Sequence, residues 1–210
     1  MQNIKTTTLV QRDYFFITFI GVAFAIFSIP ILKNLAIGKI PITITTAVTL
    51  VIFFTIFANI ALYISGLIAK KIPVVLQIAK FAAVGAFNTF LDWGIVNLLM
   101  SATQVFSGPL FALFNGISFL AANSGSYFWN KYWTFASNGK KKAEGSFFQF
   151  FGITLIGLFV KVAISYGLVN YVSHPATMTP SRWANVGLAL GTLLALVWNF
   201  IGYKLWVFKK

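Results

Sequence analysis

The chain has 210 residues, of which 59% are hydrophobic and only 9% are charged, and its mean hydropathy is +0.85. Soluble domains carry about 25% charged residues, so this composition excludes an ordinary soluble protein and indicates an integral membrane protein. Cysteine is absent, which excludes disulfides and thiol chemistry. One histidine and three acidic residues are too few for a convincing metal site, so we expect no metal and no other cofactor.

Six apolar stretches predict six transmembrane helices, and the fold class is therefore an all-α integral membrane protein. Glycine, proline or polar residues interrupt the apolar sequence between the stretches and mark the helix ends. The first stretch exceeds the roughly 7–15 apolar residues of a signal-peptide core, so we interpret it as a membrane helix. The predicted spans are 14–32, 43–69, 79–101, 109–134, 147–172 and 183–207.

The net charge of +13 is explained by orientation in a membrane rather than by nucleic acid, because the lysines lie at the ends of apolar stretches. Basic residues favour the cytoplasmic side of a membrane. With both termini in the cytoplasm, only Lys33, Lys39 and Arg182 lie on the far side, and Lys161 lies within a span. The cytoplasmic set is Lys5, Arg12, Lys70, Lys71, Lys80, Lys131, Lys140, Lys141, Lys142, Lys204, Lys209 and Lys210. The distribution predicts that both termini are cytoplasmic.

Two ionisable residues lie deep in predicted spans. Asp92 is about 13 residues into the third span and Lys161 about 14 residues into the fifth, each roughly 20 Å from its cytoplasmic end. A charge within a membrane is costly and indicates function by default. We expect Asp92 and Lys161 to face one another or a shared cavity. They either form an ion pair that only joins helices or handle substrate or protons.

A short motif occurs twice, at the ends of the fourth and sixth predicted spans: lysine, spacer, tryptophan, spacer, phenylalanine. The matched pairs are Lys131 and Lys204, Trp133 and Trp206, Phe135 and Phe208. "FAAVG" (81–85) aligns with "FQFFG" (148–152) in the preceding spans, so the last four helices are predicted to be a two-plus-two parallel repeat. The motif either places lysines and an aromatic belt at the interface or binds lipid phosphate.

The stretches "KFAAVGAFNTFLDWGIVNLL" (80–99), "NKYWTF" (130–135) and "NFIGYKLWVF" (199–208) resemble the GtrA-like family of small membrane proteins. The first motif copy departs from the family pattern, because Ser126 and Tyr127 stand where an Asn-Phe pair is typical. The resemblance covers a four-helix domain, 79–210, and leaves 1–70 as a two-helix extension of unknown role. It implies flipping of polyprenyl-phosphate-linked monosaccharides across a bacterial or archaeal cytoplasmic membrane, for glycosylation of surface polysaccharide or teichoic acid.

A lipid-linked sugar needs a cation near its phosphate and a polar path through hydrocarbon. The candidates for phosphate binding are Lys80, Lys131 and Lys204. The candidates for the sugar or the polar path are Asn88, Thr89, Asp92, Trp93, Asn123, Ser126, Asn130, Lys161 and Asn199. The interface motif comprises Trp133, Phe135, Trp206 and Phe208. For the Asn and Thr side chains, hydrogen bonding between helices is an equal alternative.

The expected partners are the polyprenyl-phosphate sugar, membrane lipids and a membrane glycosyltransferase, and no nucleic acid. The spacing of Gly187 and Gly191 allows either a homodimer or a tight crossing within the chain. The alternative function is a non-transporting anchor or partner of the glycosyltransferase. A proton exchanger that uses Asp92 is a third hypothesis. An enzyme is disfavoured because the sequence offers no nucleophile–base pair and no carboxylate pair.

Overall fold

The structure, a computed structural model, is all-helical over the residues that it describes, which are 9–35, 41–134 and 144–202. Each predicted span corresponds to one long helix, which confirms the all-α class. The helices are α1 (Gln11–Leu35), α2 (Ile44–Ala69), α3 (Val74–Thr103), α4 (Gly108–Trp129), α5 (Glu144–Tyr171) and α6 (Pro180–Gly202). A π-helical turn, Asn130–Thr134, follows α4. Within these helices, the structure does not describe the side chains of residues 127, 128, 130, 131, 144–148, 150 and 200.

Local sequence signals fix where the helices begin. The Thr43 hydroxyl accepts a hydrogen bond from the Thr46 N–H at 3.2 Å and caps α2. Thr179 does the same for the Arg182 N–H at 3.3 Å, and Pro180 occupies the first position of α6, where a missing N–H costs nothing. These caps satisfy backbone donors that have no partner within their own helix.

Four helices in the described part of the chain are long and apolar enough to cross a membrane: α1, α2, α3 and Phe151–Tyr171 of α5. Helix α4 carries Asn115 and Ser118, and α6 carries Arg182 and Asn185. Crossing by all six helices, with both termini in the cytoplasm, therefore stays a prediction.

The described residues form two compact units. Unit 1 comprises 9–33, 41–95 and 120–134, and unit 2 comprises 34–35, 96–119 and 144–202. The core of unit 1 combines Ile17 and Ile20 of α1 with Leu62 of α2 and with Val84 and Phe87 of α3. Helix α1 thus packs with the first helix of the predicted four-helix domain. The boundary between 1–70 and 79–210 is not tested by this grouping and stays a prediction.

Candidate functional site

Two charged side chains of the predicted site are buried within helices. Asp92 of α3, in unit 1, is 5% exposed, and Lys161 of α5, in unit 2, is 1% exposed. Both helices include a stretch that is apolar enough to span a membrane. Taking a charge out of water costs several kcal/mol unless other groups compensate, so stability alone is a weak reason to keep them there. A direct pairing of Asp92 with Lys161 stays a prediction.

Lys161 lies against an aromatic ring and a glycine of unit 2. Its Nζ is 5.9 Å from the centroid of the Phe119 ring, within range of a cation–π attraction. The Ser165 hydroxyl donates to the Lys161 carbonyl at 2.8 Å, one turn further along α5. A Cβ at Gly191 of α6 would stand only 2.5 Å from that same carbonyl. The lysine is therefore held where α5 and α6 approach most closely.

Glycines allow this close crossing of α5 and α6. A Cβ at Gly187 would meet Val169 at 2.8 Å and the Ser165 carbonyl at 3.1 Å, and one at Gly202 would meet Ile153 at 2.7 Å. Backbones that approach to this distance gain dispersion contacts over a long stretch. The spacing of Gly187 and Gly191 allowed either a homodimer or a tight crossing of two helices within the chain. The structure shows the crossing of α5 and α6 within the chain. A homodimer stays a prediction.

Within the described part of the chain, no donor reaches the buried side-chain oxygen of two candidate amides. In unit 1 this is Oδ1 of Asn88, on α3 and one turn before Asp92. In unit 2 it is Oδ1 of Asn199, which would lie 2.5 Å from a Cβ at Gly157. A buried acceptor without a donor costs about 1–3 kcal/mol and needs an explanation. Both oxygens suit a hydroxyl donor such as those of a sugar.

The remaining predicted residues fall into three groups. The Thr89 hydroxyl donates to the Gly85 carbonyl of its own helix at 3.1 Å. Trp93 and Asn123 are half-buried, and Ser126 is buried at 6% exposure. Outside the described part of the structure lie the side chains of Asn130 and Lys131 and the whole of Phe135, Lys204, Trp206 and Phe208.

A buried ion pair that the sequence analysis missed lies in unit 1. Asp13, in the first turn of α1, is 1% exposed, and its Oδ1 accepts from Lys80 Nζ of α3 at 2.6 Å. The same oxygen accepts from the indole N–H of Trp133 at 2.8 Å. Asp13 was overlooked because it precedes the predicted start of the first span at residue 14. An acidic residue beside an apolar stretch in so basic a chain was the available signal.

Trp133 therefore differs from its expected place, and Lys80 has a counter-ion that the sequence analysis did not predict. Trp133 is 3% exposed, so it is buried in unit 1 rather than placed in an exposed aromatic belt. Its ring lies edge-on to Phe16 of α1 and to Trp129, at centroid distances of 5.6 and 5.9 Å. Lys80 Nζ is 5.8 Å from the Trp133 ring and carries Asp13 as its counter-ion. The physical reason is α1, which covers this end of α3 with aromatic side chains and a carboxylate.

A second unpredicted polar cluster, in unit 2, joins three helices through asparagines. Asn97 of α3 and Asn185 of α6 exchange two hydrogen bonds of 2.9 Å. Asn34 of α1 donates to the Asn97 carbonyl at 2.8 Å and to its Oδ1 at 2.9 Å. The Ser101 hydroxyl donates to Asn34 Oδ1 at 3.0 Å. This reciprocal network explains the polar residues of these helices as structural contacts.

Each unit offers polar groups that could bind a ligand. Unit 1 has the buried Asp92 carboxylate and the Asn88 oxygen, and unit 2 has the buried Lys161 ammonium and the Asn199 oxygen. Among the described residues no group of three or more histidine and acidic side chains could hold a metal ion. Ammonium and amide groups of this kind bind phosphate and hydroxyl groups through charge and hydrogen bonds.

Comparison with known proteins identifies relatives over the same region. The family model of the GtrA/DPMS transmembrane domain matches residues 80–208. The uncharacterized membrane protein YngA of Bacillus subtilis (strain 168) is 29% identical over 138 residues, which cover 62% of this chain and 78% of YngA. No solved structure matches. Because the family match covers more than half of the chain and confirms the resemblance, the protein belongs to the GtrA/DPMS transmembrane-domain family.

Proposed function

We propose that the protein moves a polyprenyl-phosphate-linked monosaccharide across the cytoplasmic membrane of a bacterium or archaeon. The sugar would then be used to glycosylate cell-surface polysaccharide or teichoic acid. Membership of the GtrA/DPMS family supports a place in lipid-linked sugar glycosylation. The observation that carries the transport proposal is Lys161, an ammonium group that is 1% exposed in the middle of an apolar helix.

The physical argument concerns the cost of moving a phosphate and a sugar through hydrocarbon. A phosphodiester carries one negative charge, which is expensive to bury unless a cation lies close to it. The Lys161 ammonium supplies such a cation. In the same unit as Lys161, Oδ1 of Asn199, which no described donor reaches, supplies an acceptor for a sugar hydroxyl. Each interaction replaces part of the hydration that the head group loses.

The proposal includes an orientation and partners. All six helices cross the membrane, and both termini lie in the cytoplasm, where Lys80, Lys131 and Lys204 attract the phosphate of an incoming lipid. A membrane glycosyltransferase makes the lipid-linked sugar on that side. The chain itself forms and breaks no covalent bond, and transport runs downhill because the sugar is consumed outside.

The test is a transfer assay in liposomes that contain the purified full-length protein and a short-chain polyprenyl phosphate monosaccharide. Access of the sugar to an impermeant oxidant reports transfer. Wild type is compared with Lys161→Met, Asp92→Asn, Lys131→Ala and Lys204→Ala. Lys70→Met is the matched control, because Lys70 is an exposed lysine at the end of α2. Circular dichroism and gel filtration establish folding first.

The expected result is transfer by wild type and by Lys70→Met, with at least a tenfold loss in Lys161→Met, about 1.4 kcal/mol or more of barrier. Equal transfer by Lys161→Met and wild type would remove Lys161 from the path. Wild-type transfer no faster than in empty liposomes would refute transport. If the pure protein then still retains a glycosyltransferase, the non-transporting partner role replaces the proposal.

A further inference from the structure

The carboxylate of Asp13 is held as an anion by two donors that converge on one oxygen. Lys80 Nζ lies 2.6 Å and Trp133 Nε1 lies 2.8 Å from Oδ1. The second oxygen, Oδ2, accepts from the Val10 N–H at 3.1 Å. The Asp13 side chain is 2% exposed, whereas that of Lys80 is 13% exposed. The cation is therefore more accessible than the anion that neutralises it.

The two donors and the acceptor come from different parts of the chain. Lys80 and Trp133 lie within the residues that match the family, and Trp133 belongs to the repeated lysine–tryptophan–phenylalanine motif. Asp13 lies outside the match, on α1. Helix α1 thus delivers a carboxylate to a cation and an N–H that belong to the family domain. Without Asp13, Lys80 Nζ and the indole N–H of Trp133 would be two donors able to bind another anion.

The Asp13 carboxylate resembles the phosphodiester of the proposed substrate in its charge and in its hydrogen-bond acceptors. A carboxylate and a phosphodiester each carry one negative charge and each present two equivalent oxygens to donors. Exchanging one for the other leaves the net charge beside Lys80 unchanged, so the exchange avoids leaving a buried ammonium without a counter-ion. A neutral ligand would not satisfy that condition.

We propose that Lys80 and Trp133 form a binding site for the phosphodiester of the lipid-linked sugar and that Asp13 is its built-in competitor. The carboxylate occupies the site when no substrate is bound and leaves when the phosphodiester arrives. The identity of the phosphate ester rests on the proposed function. The presence of a competitor rests on the Asp13 geometry alone.

The position of Asp13 makes its release local. It lies in the first turn of α1, where Tyr14 and Phe15 are exposed. Further along α1, Thr18 shares hydrogen bonds with Asn59 of α2, and a Cβ at Gly21 would stand 2.8 Å from Thr55 Cα. These contacts keep the helix in place while its first turn moves. The expected motion is therefore the opening of one turn, which also has to release Leu9 from its packing against the core of unit 1.

The test is equilibrium binding to the full-length protein in detergent. The probe is radiolabelled farnesyl phosphoglucose, a phosphodiester, and farnesyl glucoside, which lacks the phosphate, is the ligand control. The variants are Asp13→Asn, which keeps the shape of the side chain but removes its charge, and the double variant Asp13→Asn/Lys80→Met. Ser65→Ala is the matched protein control, because the Ser65 hydroxyl donates to the Ala61 carbonyl of its own helix, away from α1 and the anion site.

We expect Asp13→Asn to bind the phosphodiester at least about tenfold more tightly than wild type, because the site is no longer occupied by its own carboxylate. The double variant should lose that gain, and Ser65→Ala should bind as wild type does. The glucoside should bind all four proteins equally. Unchanged or weaker binding by Asp13→Asn would overturn the inference and leave Asp13 as a structural contact only. So would a gain that survives in the double variant.

Two other outcomes can be told apart from a failure of the competitor hypothesis: a variant that does not fold, and a wild-type protein that does not transport. If Asp13→Asn does not survive purification, it is purified in the presence of the phosphodiester; recovery supports the site, and no recovery overturns it. Liposome transfer by wild type with no affinity gain in Asp13→Asn refutes the competitor alone. Tighter binding by Asp13→Asn without wild-type transfer supports the site and refutes transport.

Discussion

Replacing Asn97 with leucine should destabilise the protein through the asparagine network of unit 2. The substitution keeps approximate volume and removes three hydrogen bonds, two shared with Asn185 and one from Asn34 to Asn97 Oδ1. Hydrogen bonds between membrane helices average about 0.6 kcal/mol each, which gives about 2 kcal/mol. Asn185 Oδ1 also loses its donor, so we expect a total loss of about 2–3 kcal/mol in the free energy of unfolding.

The assay is equilibrium unfolding of purified protein in mixed micelles, followed by far-ultraviolet circular dichroism. Ser124→Ala is the control, because the Ser124 hydroxyl donates to the Leu120 carbonyl of its own helix at an exposed position, and its change should stay within about 0.5 kcal/mol. In the double variant Asn97→Leu/Asn185→Leu, no amide is left half-satisfied. Its loss should fall short of the sum of the two single losses by at least about 1 kcal/mol. An Asn97→Leu change as small as the control's, or strict additivity in the double variant, would refute this reasoning.

Three further changes test the crossing, the candidate site and a helix cap. Gly191→Ala should cost about 1–3 kcal/mol of unfolding free energy, because its Cβ would stand 2.5 Å from the Lys161 carbonyl; Gly167→Ala, whose Cβ meets open space, should be neutral or stabilising in the same titration. Asn199→Leu should keep or raise the melting temperature, since it removes an unpartnered buried oxygen, yet should lower liposome transfer at least about tenfold; unchanged transfer would exclude Asn199 from the path. Thr43→Ala should lower stability by about 1 kcal/mol, and Thr43→Ser, which retains a capping hydroxyl, should restore it in thermal melts.

The sequence was sufficient to locate the helices because membrane helices must be long and apolar. Long apolar stretches separated by glycine, proline and polar residues predicted all six helices, with ends that shift by a few residues. Helix α3 begins at Val74, directly after Pro73, rather than at 79. The burial of Asp92 and Lys161 could be foreseen on the same grounds, since each is a charge surrounded by apolar sequence.

The polar contacts between helices could not be read from the sequence, because each depends on which helix faces join. Asn34, Asn97 and Asn185 are single amides in separate helices, and their reciprocal hydrogen bonds appear only when three helices meet. Asp13 precedes the first apolar stretch and was overlooked for that reason. Its role depends on Lys80 and Trp133, which are 67 and 120 positions away in the chain. Pairings of that separation leave no local pattern.

The glycine contacts between α5 and α6 also determine how this hairpin can move. A Cβ at Gly157, Gly187, Gly191 or Gly202 would meet the opposite helix at 2.5–2.8 Å, so the two helices have no slack for sliding or rotation against each other. Packed interfaces of this kind shift as rigid pieces rather than bend continuously. We therefore expect any change of shape in unit 2 to carry α5 and α6 together. Spin labels placed on the facing ends of this hairpin would report a constant separation in every state, which makes it a natural fixed frame for measuring the other helices.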